Sequence, residues 1–75
     1  MDAVDEGIFK ILREKFSVEP KPEMSLAALG VDSLGMAELT VDLEKQFDIK
    51  VDEDILGTET VGELIAYVQA KRAKP

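Results

Sequence analysis

Apolar residues recur at helical spacing in three separate segments of this chain of 75 residues. In the first segment Val4, Ile8 and Leu12 are four residues apart, so they share one face if the segment is helical. Helices with one apolar face become stable by burying those faces against each other. The spacing therefore predicts an all-α fold. The three predicted helices cover about Asp2 to Phe16, Ser33 to Phe47, and Thr60 to Arg72.

The connection between the first two helices is long and contains two prolines. In the stretch SVEPKPEMSLAALGV, Pro20 and Pro22 lack an amide donor and restrict the residue before them, so a loop is predicted to begin near Ser17. Loops of this length are uncommon in compact domains and indicate either a function or a long crossing. Three apolar residues are expected to hold the loop against the core: Leu26, Leu29 and Val31.

A short stretch, DIKVDEDILG, separates the second and third main helices. It predicts a turn and a short helix, with Val51, Ile55 and Leu56 covering the open side of the bundle. The expected fold is a small four-helix bundle with three main helices, one short helix and a long first loop. A chain of this length is expected to form a single domain, spanning 1–75, near the size at which one core gives marginal stability.

The composition excludes several classes of chemistry. The chain has no cysteine and no histidine, which removes disulfides, thiolate nucleophiles, serine-histidine dyads and the usual ligands of zinc, haem and iron-sulfur clusters. A domain this small has little room for a catalytic cleft, so no enzyme is expected. The first residues, MDAVDEGIFK, are acidic, and no apolar run reaches the length of a signal sequence or membrane span. A cytoplasmic location without membrane binding is expected.

Negative charge is concentrated in the middle of the chain. The formal net charge is -7, and residues 32–63 hold ten acidic and two basic residues, which leaves +1 for the rest. Nucleic-acid binding requires a basic patch and is not expected. A protein partner with a basic surface fits this charge distribution, and so does a merely solubilising surface.

The second predicted helix has two different faces. Asp32 precedes it as a predicted N-cap. On one face Leu34 and Val41 are apolar residues exposed to water, with Glu38 between them and Lys45 beyond. This pattern is typical of a docking surface, and it also fits scattered surface apolar residues. The opposite face is the predicted core stripe, formed by Met36, Leu39, Thr40, Leu43 and Phe47.

Ser33, at the predicted start of this helix, has three interpretations. It is a residue of the first helical turn, a frequent place for serine. It is a catalytic nucleophile, which the absence of histidine and cysteine disfavours. Or its hydroxyl is presented at an exposed helix start so that another enzyme attaches a group to it.

The residues around Ser33 resemble the attachment motif of the acyl carrier protein family. The family pattern Gly-x-Asp-Ser-Leu at the start of the second helix stands here as Gly30, Val31, Asp32, Ser33 and Leu34. The segment ELTVDLEKQFDIKVDED resembles the family's acidic second helix and following loop, and TETVGELIAYV resembles its last helix. Asp-Ser-Leu alone is a weak signal, but the motif joined to this helix order, length and charge is a strong one, and the resemblance covers nearly the whole chain.

The resemblance implies a covalent cofactor and a set of partners. A 4'-phosphopantetheine group from coenzyme A would be joined to the Ser33 oxygen, between Asp32 and Leu34, and would carry acyl groups as thioesters in fatty acid or polyketide-type biosynthesis, including antibiotic pathways. The implied partners are a phosphopantetheinyl transferase and acyltransferases, ketosynthases or acyl-loading enzymes with basic docking patches, acting on a monomer. An aminoacyl or peptidyl carrier is the alternative within this class. The implied partner surface consists of Leu34, Glu38, Val41, Asp42 and Glu44.

Two residues depart from the usual pattern of the family. Gly35 stands where members often carry an acid or a larger residue, and Lys45 interrupts the acidic face. Both departures concern the choice of partners, and neither touches the attachment residue.

Two other classes of function match parts of the sequence. A calcium-binding loop is suggested by acidic residues at residues 52–63, but its fifth position would be Leu56, which has no side-chain oxygen, and Glu63 is better used with Thr60 as a capping box. The matches to positions 1, 3, 6 and 12 of the calcium-binding loop are Asp52, Asp54, Gly57 and Glu63.

The other class is a docking module without modification. It predicts that Ser33→Ala leaves function intact.

Overall fold

The structure, a computed structural model, describes residues 3–73, and the regular elements of this range are all helices. It contains α1 (Ala3–Phe16), α2 (Ser33–Phe47) and α3 (Val61–Ala73), with 3-10 helices at Ala27–Leu29 and Glu53–Gly57. The predicted all-α class is confirmed, and the bounds of the second helix are those predicted. The predicted short extra helix is a 3-10 helix of five residues, so the described residues form three α-helices. The predicted start of the first helix at Asp2 lies outside the described residues.

The core lies where α1 packs against both α2 and α3. The predicted core stripe of α2 is buried at Met36, Leu39 and Leu43, while Thr40 and Phe47 are half-buried. Each helix contributes one buried apolar face, as the spacing predicted. The fully buried side chains are Val4, Ile8, Leu12, Leu39, Leu43, Val61, Leu64 and Val68.

The long first loop is fixed to the start of α3 by backbone hydrogen bonds. The Leu26 N–H donates to the Glu59 carbonyl at 2.8 Å, and the Val61 N–H donates to the Met24 carbonyl at 3.0 Å. The Gly62 N–H donates to the Pro22 carbonyl at 2.8 Å, and a Cβ on Gly62 would lie 3.1 Å from that oxygen. Buried backbone groups need such partners, so these bonds give the loop a defined path. Leu26 and Leu29 are buried and Val31 is half-buried, as expected.

The start of α3 is capped by Thr60 and Glu63. The Glu63 N–H donates to Thr60 Oγ1 at 3.1 Å, and Glu63 Oε1 accepts the N–H of Glu59 at 2.6 Å. The predicted capping role is confirmed, with one difference: the glutamate reaches the residue before the cap instead of the cap residue itself. The Glu59 carbonyl in turn accepts the Leu26 N–H, so both backbone groups of Glu59 are hydrogen-bonded.

The second 3-10 helix is attached to α3 through Tyr67. The Tyr67 O–H donates to Asp54 Oδ1, the Asp52 N–H donates to Tyr67 Oη at 3.1 Å, and the Lys71 ammonium donates to Asp52 Oδ2 at 3.0 Å. Burial, and then the hydrogen bond to Asp54, raise the pKa of Tyr67 above its ordinary value of 10.0. Asp52 and Asp54, two acidic residues of the calcium-loop hypothesis, therefore form hydrogen bonds that hold the second 3-10 helix to α3. Among residues 3–73, no group of three or more acidic side chains is arranged to hold a metal ion.

Leu56 does not cover the open side of the bundle as expected. Ile55 is buried and Val51 is half-buried, but the side chain of Leu56 is 67% exposed. A 3-10 turn places neighbouring residues about 120° apart, so Ile55 and Leu56 cannot both face the core. Within the described residues, no helix is both long and apolar enough to cross a membrane.

Candidate functional site

Ser33 is the first residue of α2, and its side chain is exposed. The preceding residue, Asp32, has an extended backbone, and its Oδ1 accepts the N–H of Gly35 at 2.8 Å. The Asp32 carbonyl accepts the N–H of Met36 at 2.8 Å. Asp32 is therefore the predicted N-cap, and it fixes the turn from which Ser33 projects.

The turn before the helix requires a glycine, and a second glycine lies in the first helical turn. Gly30 ends the first 3-10 helix with φ of 90°, a conformation that L side chains rarely adopt. A Cβ on Gly35 would lie 3.2 Å from the ring of Phe16 and 3.3 Å from Asp32 Oδ1. The ring of Phe16, at the end of α1, thus occupies the space that a larger residue at position 35 would need. This contact gives a structural reason for the departure at Gly35 from the family's usual pattern.

An open groove of about 430 Å³ lies beside Ser33, between the first loop and the second 3-10 helix. Ser33 and Asp32 lie at its edge, and the exposed Leu56 lines the wall formed by the second 3-10 helix. Sequence reasoning missed this role of Leu56, because nothing local indicates that the residue faces the start of α2. The other residues lining the groove are Ser25, Leu26, Ala27, Val31, Met36, Thr58 and Glu59.

The exposed face of α2 combines two apolar residues with carboxylates. Leu34 is 69% exposed and Val41 is 48% exposed, while Glu38 is also on the surface. Asp42 is partly exposed on the side of α2 that faces α1. Four of the five residues predicted to form a partner surface are thus accessible side by side along one helix.

Glu44, the fifth residue of that predicted surface, points elsewhere. Its Oε2 accepts the N–H of Val51 at 2.9 Å, and the residue is half-buried. The bond closes the loop that follows α2, where Asp48 takes a left-handed conformation with φ of 53°. Glu44 therefore has a structural contact that competes with any role on the surface.

Lys15, on the last turn of α1, is paired with the acidic face, and sequence reasoning missed it. Its ammonium lies 3.0 Å from Asp42 Oδ2 and 3.8 Å from Glu38 Oε1. The pKa of Lys15 is raised, chiefly by its hydrogen bond to Asp42, while burial acts in the opposite direction. The only available signal was a basic residue at the end of α1, which the helix dipole already explains.

Known proteins resemble this chain along most of its length. The family model described as the phosphopantetheine attachment site matches residues 6–68. A protein of Mycobacterium tuberculosis named "Meromycolate extension acyl carrier protein" is 41% identical over 68 residues, which cover 84% of this chain and 59% of that protein. A protein of the same name from Mycolicibacterium aurum is 40% identical over 84% of this chain and 70% of its own length. An "Acyl carrier protein" from Azobacteroides pseudotrichonymphae is 36% identical over 93% of this chain and 89% of its own length.

Proposed function

We propose a function from one premise: this chain belongs to the acyl carrier protein family. The cofactor of the family is 4'-phosphopantetheine, and its members carry acyl groups without catalysing a reaction. We infer that the chain, as a single domain over residues 1–75, carries acyl groups on an arm attached to Ser33. The observation that supports this assignment is the exposed Ser33 at a capped helix start beside an open groove. The chain spans about 59% of the length of the first mycobacterial relatives that it matches.

The residues around Ser33 fit a phosphodiester-linked arm. The hydroxyl is exposed, and the N-terminus of α2 favours negative charge through its free amides and dipole. Asp32 accepts one of those amides, that of Gly35, and the amides of Ser33 and Leu34 belong to the same first turn. When bound, the arm supplies a terminal thiol that holds acyl groups as thioesters, which a chain without cysteine does not provide.

The proposed reaction transfers phosphopantetheine from coenzyme A to Ser33 by substitution at phosphorus. The Ser33 oxygen forms a bond to the phosphorus that bears pantetheine, and the pyrophosphate bond of coenzyme A breaks. Adenosine 3',5'-bisphosphate leaves, and the hydroxyl proton passes to a base of the transferase. The chain contributes the nucleophilic hydroxyl and its exposed position, and the transferase contributes the catalysis.

The exposed face of α2 is proposed as the partner surface. Leu34 and Val41 would enter small apolar pockets, while Glu38 and Asp42 would face the basic patches of a phosphopantetheinyl transferase, acyltransferase, ketosynthase or acyl-loading enzyme. Glu44 would contribute mainly through its other carboxylate oxygen, because its Oε2 already accepts the N–H of Val51. Exposed charges of this kind mainly accelerate and orient the encounter.

The proposed cargo is an acyl chain of fatty acid or polyketide type. Relatives of this chain are named for meromycolate extension and as an acyl carrier protein, which supports an acyl cargo over an aminoacyl one. The choice between the two acyl pathways would lie with the enzymes that load and use the arm.

The attachment is tested by intact-protein mass spectrometry. Wild type is incubated with coenzyme A, magnesium and a broad-specificity phosphopantetheinyl transferase, beside Ser33→Ala and the control Ser17→Gly. We expect wild type and the control to gain the mass of one phosphopantetheine and Ser33→Ala to gain none. Modification of a folded Ser33→Ala variant, or no modification of folded wild type, would contradict the assignment. In the second case an unmodified docking module becomes the better explanation.

A further inference from the structure

The ammonium of Lys15 lies against two carboxylates of the partner surface proposed above. It donates to Asp42 Oδ2 at 3.0 Å and lies 3.8 Å from Glu38 Oε1, so one lysine of α1 bridges two carboxylates of α2. The side chain of Lys15 is 26% exposed, against 53% for Glu38 and 37% for Asp42. The carboxylates are thus accessible, but they are not free of a counter-ion.

The position of this contact makes it accessible to a partner. An open groove of about 400 Å³ between α1 and α2 is lined by Lys15 and Asp42, together with Ile11, Glu14, Lys45 and Gln46. A cation approaching Asp42 from this groove therefore meets the ammonium of Lys15 within the same site. Two cations on one carboxylate repel each other, and the repulsion offsets part of the attraction that the acidic face provides.

The contact contributes little to holding the helices together. The packing of α1 on α2 buries apolar side chains such as Ile8, Leu12 and Leu39 completely, whereas an ion pair exposed to this degree adds little to folding stability. Lys15 is also not needed as a helix-end charge, since Arg13 lies in the same last turn. The contact of Lys15 with two carboxylates of the proposed partner surface therefore matters more for docking than for the stability of the fold.

We propose that Lys15 is a specificity-determining residue of the partner surface, an internal competitor that weakens the docking of basic partners at Glu38 and Asp42. The inference depends on the proposed function, because it concerns the same surface. Partners whose basic residues pair with Asp42 must displace or share Lys15, whereas contacts at Leu34 and Val41 are unaffected. The competition keeps the encounter short-lived, as a carrier that moves between enzymes requires.

The test measures kcat and KM for phosphopantetheine transfer to Ser33 by a broad-specificity phosphopantetheinyl transferase. Lys15→Gln removes the competing charge, Lys15→Arg keeps it, and Lys10→Gln makes the same change in net charge at another exposed position of α1. We expect Lys15→Gln to lower KM about two- to fivefold with kcat unchanged, the range typical of one exposed ion pair. Lys15→Arg should behave as wild type, and Lys10→Gln should change KM by less than Lys15→Gln.

A double-mutant cycle separates competition from a general charge effect. When Glu38→Gln and Asp42→Asn are both present, KM should rise, and the further change Lys15→Gln should then have no effect. Thermal unfolding of each variant, followed by circular dichroism, checks that all of them are folded. The inference is overturned if Lys15→Gln and Lys10→Gln give the same KM, or if removing both carboxylates leaves KM unchanged. If no folded variant with Ser33 is modified, the proposed function itself fails, and that result is distinct from an unchanged KM.

Discussion

The hydrogen bond from Gly35 to Asp32 provides a direct test of how the start of α2 is stabilised. Asp32→Ala removes the side-chain oxygen that accepts the Gly35 N–H at 2.8 Å, while the backbone bond from the Met36 N–H to the carbonyl of residue 32 can still form. Loss of a single N-cap oxygen costs about 1 kcal/mol, within a range of roughly 0.5–2 kcal/mol. For a domain of this size, about 1 kcal/mol lowers the melting temperature by roughly 4–8 °C.

Asp32→Asn is the matched control, because asparagine keeps an oxygen that can accept the same N–H. It removes the negative charge at the helix N-terminus, which is worth only about 0.3–1 kcal/mol at an exposed position. We therefore expect the order of stability to be wild type, then Asp32→Asn, then Asp32→Ala. The free energies of unfolding are measured by urea titration followed by circular dichroism.

Two results would refute this account of the cap. If Asp32→Ala is as stable as wild type, the observed bond contributes nothing and water serves Gly35 equally well. If Asp32→Asn is destabilised as much as Asp32→Ala, the charge of the carboxylate matters and its capping oxygen does not.

Three further predictions follow from burial, backbone conformation and proton binding. Leu43→Ala, at a fully buried position, should lower the free energy of unfolding by about 2–5 kcal/mol. Val41→Ala, two residues away and 48% exposed, should change it by less than about 0.5 kcal/mol in the same urea titration, so a large loss would contradict the observed orientation of α2. Ser17→Gly should raise it by about 0.5 kcal/mol, because Ser17 has φ of 54°, whereas Ser17→Ala should give no gain. Tyr67 is the only tyrosine, so tyrosinate absorbance follows it alone, and its midpoint should lie above pH 10.0. Because the folded state raises this pKa, the stability that Tyr67 contributes is present below pH 10.0 and is lost as pH rises through the raised value. A titration midpoint at or below pH 10.0 would contradict the burial of Tyr67 and its bond to Asp54.

Local signals in the sequence predict the start of α2 and its two faces. A cap such as Asp32 and the residues it serves are three positions apart, so the sequence contains both partners of the interaction. Likewise, helical spacing separates the buried Leu39 from the exposed Leu34 and Val41 without reference to the rest of the fold. The exposed Ser33 follows from the same local geometry, although its attachment role comes from resemblance and stays a prediction.

Contacts between elements could not be predicted in the same way. The pairing of Lys15 with Asp42 depends on how α1 and α2 cross, and the bond from Val51 to Glu44 depends on the path of a loop. The sequence predicts Leu56 in the core, and this is wrong because a short apolar run has no period that distinguishes its buried side from its exposed side. Each of these interactions joins residues from different elements, and only the assembled fold determines it.

The backbone bonds between the first loop and the start of α3 also affect the order in which the molecule folds. Met24 and Leu26 pair with Val61 and Glu59, which lie far from them in sequence. Pairing over such a separation closes a long loop and is slow compared with helix formation. We therefore expect α1 and α2 to form first and the loop to acquire its structure last, with α3. In native-state hydrogen exchange, the amides of Leu26, Val61 and Gly62 should then exchange together, as one cooperative unit. Opening of this unit would disassemble the groove beside Ser33, while α2, which carries Ser33, stays intact.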